Sequence, residues 1–245
     1  AFTYRVFASP TSPYMPYDGP QGFAGSPHPT GVPDGYAPPY VAPQDVTIQS
    51  APFSKNDPWL AANATETTGN NVDAYADLVA DQNNGFAAGD VRGAVSAPGK
   101  FQYTYDLAGE PGVAASRQAA VVQLFYVNNW LHDWYYDAGF AEADGNAQAA
   151  NYGRGGAEGD ALVAQAQDVG GFDNANMATP ADGASPRMQM YLWVTPTPQF
   201  VKVNAPASVQ LQTGAGIASE WGPQSFDLTG DVVAAQNGTK ADGCT

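Results

Sequence analysis

The stretch "SRQAAVVQLFYVNNWLHDWYYDA" (116–138) has the clearest helical pattern in the chain. Its apolar residues recur at steps of three and four, which predicts one long helix with a wide stripe buried against a sheet or other helices. Ser116 is a suitable N-cap, and Gly139 is a suitable residue to follow the C-terminus. We expect Trp134 and Tyr135 to lie on the buried face. The stripe comprises Ala120, Val121, Leu124, Phe125, Val127, Leu131, Trp134, Tyr135 and Ala138.

Short β segments lie on both sides of this helix. "FQYTYDL" (101–107) alternates in polarity and is rich in aromatic residues, which predicts a strand. After a loop rich in Gly, Asn and Asp, strands are predicted at "ALVAQAQD" (161–168), "DNANMA" (173–178) and "RMQMYLW" (187–193). One long helix among many short strands indicates an α+β fold.

Changes in composition divide the chain into three parts. Residues 1–60 are rich in Pro, Gly, Ser and Tyr, and this density of proline forbids helix and interior strand over most of the segment. Its many aromatic residues favour an extended segment that wraps over a folded lobe (61–194) rather than a disordered tail. From 195 to 245 the sequence consists of short β segments with Pro and Gly turns, so we place a domain boundary near residue 195.

The charge balance excludes several classes of function. The 245 residues include 24 acidic and 9 basic side chains, a net charge of −15. This charge argues against binding to nucleic acids or to anionic membranes. No apolar run is long enough for a transmembrane helix, and the low lysine content is typical of a secreted protein. The one cysteine, Cys244, is either a buried or free thiol or the partner of a cysteine outside this chain.

The residues do not form a complete catalytic set. The positions four residues from His132 hold Asn128 and Tyr136, which are not zinc ligands, so a packed helix histidine is favoured. His28 lies between prolines and is expected in a loop. "EADGN" (142–146) has oxygen ligands at alternate positions, as calcium loops do, but lacks the closing glutamate, so a polar surface loop is the favoured alternative. Arg154 and Asp160 could pair across the glycine-rich loop 151–160.

The run 125–193 closely resembles the fungalysin family of secreted zinc metallopeptidases, and the resemblance extends over roughly residues 1–193. At Asn176 and Met177 the sequence departs from the family, in which an acid and an aromatic residue are common. The matching positions are His132-Asp133, Tyr136, Gly139-Phe140, Glu142, Gly145-Asn146, Gln148, Asn151, Gly153, Gly155-Gly156, Asp160, Gln167-Asp168, Asn174-Ala175, Thr179-Pro180, Asp182-Gly183 and Arg187-Met188-Gln189-Met190.

The resemblance implies the β-rich N-terminal lobe of a thermolysin-like enzyme. Zinc would be bound by an HExxH helix, which is absent from this sequence and is expected outside this chain. Asn174 and Ala175 would fall on the strand that holds the substrate: the Asn side chain binds the substrate backbone, and the Ala carbonyl accepts a hydrogen bond. Residues 195–245 resemble the start of a protease-associated domain, whose first cysteine, here Cys244, commonly pairs with a later one.

The sequence therefore predicts the N-terminal portion of a secreted, extracellular bacterial zinc endopeptidase, inactive by itself. Its partner would be the remainder of the same enzyme, acting on peptide or protein substrates, and bound calcium is possible. The alternative is a non-catalytic extracellular structural or binding protein that reuses this fold.

Overall fold

The computed structural model describes residues 1–19, 40–80, 85–106 and 109–193, and the backbone of 200–203 and 211–214. The chain divides into two compact units, Ala1–Trp193 and Val194–Thr245. Within the described residues the second unit contains one antiparallel pair of strands, formed by Phe200–Val203 and Leu211–Gly214. The elements in chain order are β1 (Phe2–Val6), β2 (Gln44–Ile48), β3 (Val72–Ala76), β4 (Val91–Arg92), β5 (Lys100–Phe101), α1 (Ala114–Asp137), a 3₁₀ turn (Glu142–Asp144), β6 (Leu162–Phe172), β7 (Ala175–Ala178), β8 (Arg187–Leu192), β9 (Phe200–Val203) and β10 (Leu211–Gly214).

The first unit is α+β, as predicted. A three-stranded sheet has the order β2-β1-β5, and a five-stranded sheet has the order β4-β3-β6-β8-β7. Strands β3, β6 and β8 run parallel, whereas β4 and β7 pair antiparallel at the two ends. Helix α1 packs on both sheets, contacting β1, β3 and β6. Alanines on β3 and β6, such as Ala74 and Ala164, are fully buried, and their small side chains allow the helix to approach closely.

The first strand forms part of the core. Phe2, Tyr4 and Val6 alternate with partly exposed residues and are buried. Since β1 is the central strand of its sheet, it forms part of the lobe rather than a cover over it. The period-two pattern of "FTYRV" was a signal for this strand, which the density of proline after residue 9 obscured.

Helix α1 begins earlier than predicted, and its last turn is more exposed than predicted. It begins at Ala114, preceded by Val113, and Ser116 is a buried residue within the helix rather than its N-cap. Gly139 has a φ of +105° and its N–H donates to the Tyr136 carbonyl, as expected for the residue after a helix. The expectation that Trp134 and Tyr135 are buried is wrong, since they are 47% and 50% exposed. No helical residue after Asp133 is buried, so the last turn extends beyond the core.

The strand predicted at 101–107 is also largely wrong. Only Lys100 and Phe101 pair with β1, and residues 102–106 have no regular structure. The side chains of this segment bond elsewhere: the Gln102 amide donates to Asp45, and the Tyr103 hydroxyl donates to the Ala94 carbonyl. Within the residues that the structure describes, no helix has the length and apolarity needed to cross a membrane.

Candidate functional site

Strand β7 lies at one end of the five-stranded sheet. The strands predicted at 161–168, 173–178 and 187–193 are confirmed as β6, β7 and β8. Strand β7 pairs with β8 only, and all four of its residues are exposed. Its other edge is therefore open, among the residues that the structure describes.

The hydrogen bonds of β8 show which groups of β7 face this open edge. The Val163 N–H donates to the Pro186 carbonyl at 2.9 Å, so Pro186 faces β6. Successive residues of a strand alternate in direction, so Tyr191 faces β7, and its N–H donates to the Asn174 carbonyl at 3.3 Å. Asn174 therefore bonds inwards to β8, and the backbone groups of Ala175 and Met177 point to the open edge.

Asn174 also modifies this edge through its side chain. Its Oδ1 accepts a hydrogen bond from the Ala175 N–H at 2.8 Å. This bond occupies the Ala175 N–H, which would otherwise point to the open edge. The groups that stay available along the edge are the Ala175 carbonyl and the N–H and carbonyl of Met177. Before it, Asp173 has a φ of +54°, and its N–H donates to the Leu192 carbonyl at 2.9 Å. The structure thus places both predicted substrate-binding residues, Asn174 and Ala175, at the start of the edge strand.

A β-bulge interrupts β6 near this site. The register with β8 shifts between Ala166 and Asp168, and Gln167 has a φ of +48°. The Asp168 carboxylate accepts hydrogen bonds from the Gln189 amide on β8 and from the Gly170 N–H, the latter at 2.6 Å. Bulges often re-aim side chains beside active sites. This feature was not predicted, although Gly170 and Gly171, which lie where the register shifts again between Asp168 and Phe172, are a signal of an irregular strand.

An apolar groove of about 510 Å³ lies beside α1. Leu124 and Val127 of the helix form one wall, and Met190 of β8 lines the opposite side. Phe172 and Trp193, close to the ends of β6 and β8, are 62% and 72% exposed. This apolar surface was not predicted, since a strand pattern does not separate buried from exposed apolar residues when the neighbouring elements are unknown.

The structure places His132 as a packed helix histidine. Its Nδ1 lies 3.3 Å from the Asp133 carboxylate, and its Nε2 lies 3.5 Å from the Asn146 amide nitrogen. Asp133 is buried and also accepts hydrogen bonds from the Trp59 indole at 2.8 Å and the Ala51 N–H at 3.0 Å. The His132–Asp133 pair therefore has a structural role, because it joins the helix to the segment between β2 and β3.

The acidic side chains of 142–146 are used for bonds within the lobe. The Glu142 carboxylate accepts hydrogen bonds from the Tyr136 hydroxyl at 2.8 Å and from the Arg154 guanidinium, which also pairs with Asp57. Burial by itself would raise the pKa of Glu142, but these hydrogen bonds and the Arg154 charge hold it below its usual value. Burial and the bond to Glu142 raise the pKa of Tyr136 to about 12.

The predicted Arg154–Asp160 pair is wrong. Arg154 binds Glu142 and Asp57, and Asp160 instead accepts from the backbone N–H groups of Gln148 and Gly183, each at 3.0 Å. In the described part of the chain, no three His, Cys, Asp or Glu side chains are placed to hold a metal ion. The described residues therefore do not fit a zinc site, and bound calcium stays a prediction. His28 and Cys244 lie outside the described residues.

Comparison with known proteins identifies the family. The sequence model described as Fungalysin metallopeptidase (M36) matches residues 36–211. The chain belongs to the fungalysin metallopeptidase family, as the sequence resemblance indicated.

Three similar proteins are named as extracellular metalloproteinases. The chain is 40% identical over 144 residues to "Extracellular metalloproteinase MEP" of Fusarium vanettenii, covering 58% of this chain and 22% of the relative. It is 46% identical over 99 residues to "Probable extracellular metalloproteinase 4" of Arthroderma benhamiae, covering 40% of this chain and 15% of the relative. It is 36% identical over 159 residues to "Probable extracellular metalloproteinase 5" of Trichophyton verrucosum, covering 62% of this chain and 23% of the relative.

Two facts follow from these relatives. The matched part of the chain spans only 15% to 23% of their length. The relatives are fungal, so the expectation of a bacterial source conflicts with them and is corrected.

Proposed function

We propose that this chain is the substrate-binding N-terminal lobe of a secreted, zinc-dependent endopeptidase of the fungalysin type. The observation that carries the proposal is the open edge of β7, where Asn174 and the Ala175 carbonyl lie together. An extended peptide that adds to such an edge gains backbone hydrogen bonds that do not depend on its sequence. This property suits an enzyme that cleaves many proteins.

Each edge group has a distinct part in holding the peptide. The Ala175 carbonyl accepts a hydrogen bond from a substrate N–H. Because Oδ1 of Asn174 is engaged by the Ala175 N–H, its NH₂ group is oriented as a donor to a substrate carbonyl. Holding the scissile bond in a fixed orientation can contribute several kcal/mol, roughly 7–11 at most, to lowering the barrier.

The catalytic groups would come from the remainder of the same polypeptide. The HExxH helix, with zinc as the Lewis acid and activator of water, lies outside this chain, so the chain alone is inactive. Residues 195–245 would begin a protease-associated domain, with Cys244 joined to a cysteine outside the chain. The names of the relatives support an extracellular location, and the exposed Phe172 and Trp193 offer an apolar surface against which the remainder can pack.

Replacing Asn174 tests this function in the complete protein. Asn174→Ala removes the donor to the substrate and should lower kcat/KM about 5- to 100-fold, because leaving a buried substrate carbonyl without its partner costs roughly 1–3 kcal/mol. Asn63→Ala, in an exposed turn, is the matched control and should leave kcat/KM unchanged.

Zinc content and intact mass complete the test. Unchanged kinetics of Asn174→Ala, with zinc retained, would contradict the assignment of the edge. A homogeneous zinc-free species of 25.5 kDa that forms ordered assemblies would support a non-catalytic extracellular protein instead.

A further inference from the structure

A second pocket, of about 630 Å³, lies at the end of β7 that is remote from Asn174. Arg187, the first residue of β8, lies in one row between Val163 of β6 and Ala178 of β7. All three residues line the pocket, and Pro180 adds a further apolar contact. The Arg187 pocket therefore surrounds one cationic side chain with apolar walls.

This pocket lies on the face of the sheet that is turned away from α1. The residue after Arg187, Met188, points towards the helix, since its sulfur lies 3.6 Å from the Asn128 amide of α1. Successive side chains of a strand point to opposite faces, so Arg187 lies on the other face. Met190, which lines the apolar groove beside α1, shares the face of Met188. The Arg187 pocket is thus separate from that groove, and it does not require a peptide to pair with β7.

Arg187 differs from the other four arginines of the chain in its bonding. The others all bond to oxygen atoms of the lobe: Arg5 to Asp45, Arg92 to Asp73, Arg154 to Glu142 and Asp57, and Arg117 to the Gly112 carbonyl. Arg187 has no hydrogen bond or ion pair with a described residue, and its Nε is a buried atom without a partner. The lobe thus presents an uncompensated guanidinium at this pocket.

The nearby acidic side chains are used elsewhere. Asp182, the acidic residue nearest to Arg187 in sequence, accepts a hydrogen bond from the Ala157 N–H at 2.9 Å. Asp160, which precedes β6, accepts from the Gly183 N–H at 3.0 Å. A cationic group that is partly removed from water without an acceptor carries a desolvation cost. An anion on the two terminal nitrogens of Arg187 would offset this cost.

We propose that the Arg187 pocket binds a carboxylate group carried on a short aliphatic stem. The planar guanidinium fork matches the two oxygens of a carboxylate, and the hydroxyls of Thr179 and Ser185, which also line the pocket, can donate further hydrogen bonds. The walls formed by Val163 and Ala178 contact the stem. A doubly charged phosphate fits less well, because the net charge of −15 opposes it more strongly at long range.

The carboxylate has two sources that present the same chemistry to Arg187. It belongs either to a separate molecule or to an acidic side chain in the remainder of the same polypeptide. In the first case the pocket accepts an added carboxylate, and in the second case it is already filled in the complete protein. Binding and stability measurements therefore distinguish the two sources.

The test uses the complete protein, with butyrate as the probe and butyramide as its neutral counterpart. Ligand-observed NMR at constant ionic strength measures binding to wild type, Arg187→Gln and Arg117→Gln. Arg187→Gln should weaken butyrate binding about 10- to 100-fold, because hydrogen bonds to charged groups are worth roughly that factor. Arg117→Gln removes the same charge from an arginine that is bonded within the lobe, and it should leave binding unchanged.

Thermal unfolding of the same variants identifies the source. Saturable butyrate binding that Arg187→Gln abolishes assigns the pocket to a separate molecule. If wild type binds no butyrate, Arg187→Gln should lower the unfolding temperature by on the order of a few degrees more than Arg117→Gln does, and Arg187→Lys should recover part of the loss. That result assigns the pocket to a carboxylate of the same polypeptide. Equal binding of butyrate and butyramide, butyrate binding that survives in Arg187→Gln, or neither binding nor a loss of stability would overturn the inference.

Discussion

The buried hydroxyl of Tyr4 gives a prediction with an unusual sign. Tyr4 is fully buried among aromatic rings, with Phe101 stacked at 5.5 Å and Tyr126 edge-on at 5.7 Å between centroids. Its hydroxyl has no hydrogen-bond partner among the described residues. Burial accordingly raises the pKa of Tyr4 far above its usual value. We therefore expect Tyr4→Phe to stabilise the lobe.

The magnitude follows from two opposing contributions. An unsatisfied buried polar group costs about 1–3 kcal/mol, and the substitution removes that cost. Removing the hydroxyl oxygen leaves a cavity of roughly 10 Å³, which at about 24 cal/mol per Å³ costs about 0.2 kcal/mol. The expected gain in free energy of unfolding is therefore about 1 kcal/mol or more.

Tyr126 provides the matched control in the same cluster. It is also fully buried, but its hydroxyl donates to the Tyr14 carbonyl at 2.6 Å. Tyr126→Phe removes this bond and should destabilise by about 1 kcal/mol. Urea unfolding of wild type and both variants, followed by near-ultraviolet circular dichroism, measures the two differences. If Tyr4→Phe destabilises the protein as much as Tyr126→Phe does, the reasoning is refuted.

Two further predictions concern the loop after α1. Because the folded-state pKa of Glu142 is lowered, its contribution to stability is complete above its usual pKa of 4.5 and is lost as the pH falls below that value. The urea midpoint of wild type should fall between pH 7 and pH 3, and the fall should be smaller in Glu142→Gln. If the midpoint of the variant falls as much as that of wild type, the prediction is contradicted. Gly156 and Gly153 have similar positive φ values, +70° and +73°. A Cβ added at Gly156 would lie 2.0 Å from the Glu142 carbonyl oxygen, whereas a Cβ added at Gly153 would have no atom within 4 Å. Gly153→Ala should cost about 1–2 kcal/mol and Gly156→Ala clearly more, so equal losses in thermal unfolding would show that the backbone contact is relieved cheaply.

The sequence predicts those elements whose pattern is local. The patterns of helix α1 and of strands β6 and β8 extend over enough residues to exceed the effect of neighbouring turns, whereas β7 has only four residues and is marked by the turn segment that follows it. Exposure was harder to predict: Trp134 continues the apolar stripe, yet it is 47% exposed, since the stripe continues beyond the buried part of the helix. Periodicity identifies the face of a helix but not how far along it the core extends.

Long-range partners could not be predicted at all. Asp160, six residues away, was a possible partner of Arg154, but Arg154 binds Glu142 and also Asp57, on a segment far away in sequence. Asp160 instead accepts backbone N–H groups. Both acids are available to an arginine by charge alone, and the choice between them depends on which loops the fold brings together. Asn174 and Ala175 were assigned from the family resemblance, and their substrate-binding role stays a prediction.

The open edge of β7 raises a physical difficulty that the structure also resolves. An exposed edge that can pair with a peptide can also pair with a second copy of itself, which leads to aggregation. Strand β7 has only four residues, and the positive φ of Asp173 turns the chain just before it. Asn174 engages the outward N–H of Ala175, which removes one donor from the ladder that a second β7 would need. A self-paired edge would have to break this bond, whereas a peptide substrate can use the Ala175 carbonyl and the Asn174 NH₂ without breaking it. The same side chain that we expect to orient the substrate therefore also disfavours pairing between copies.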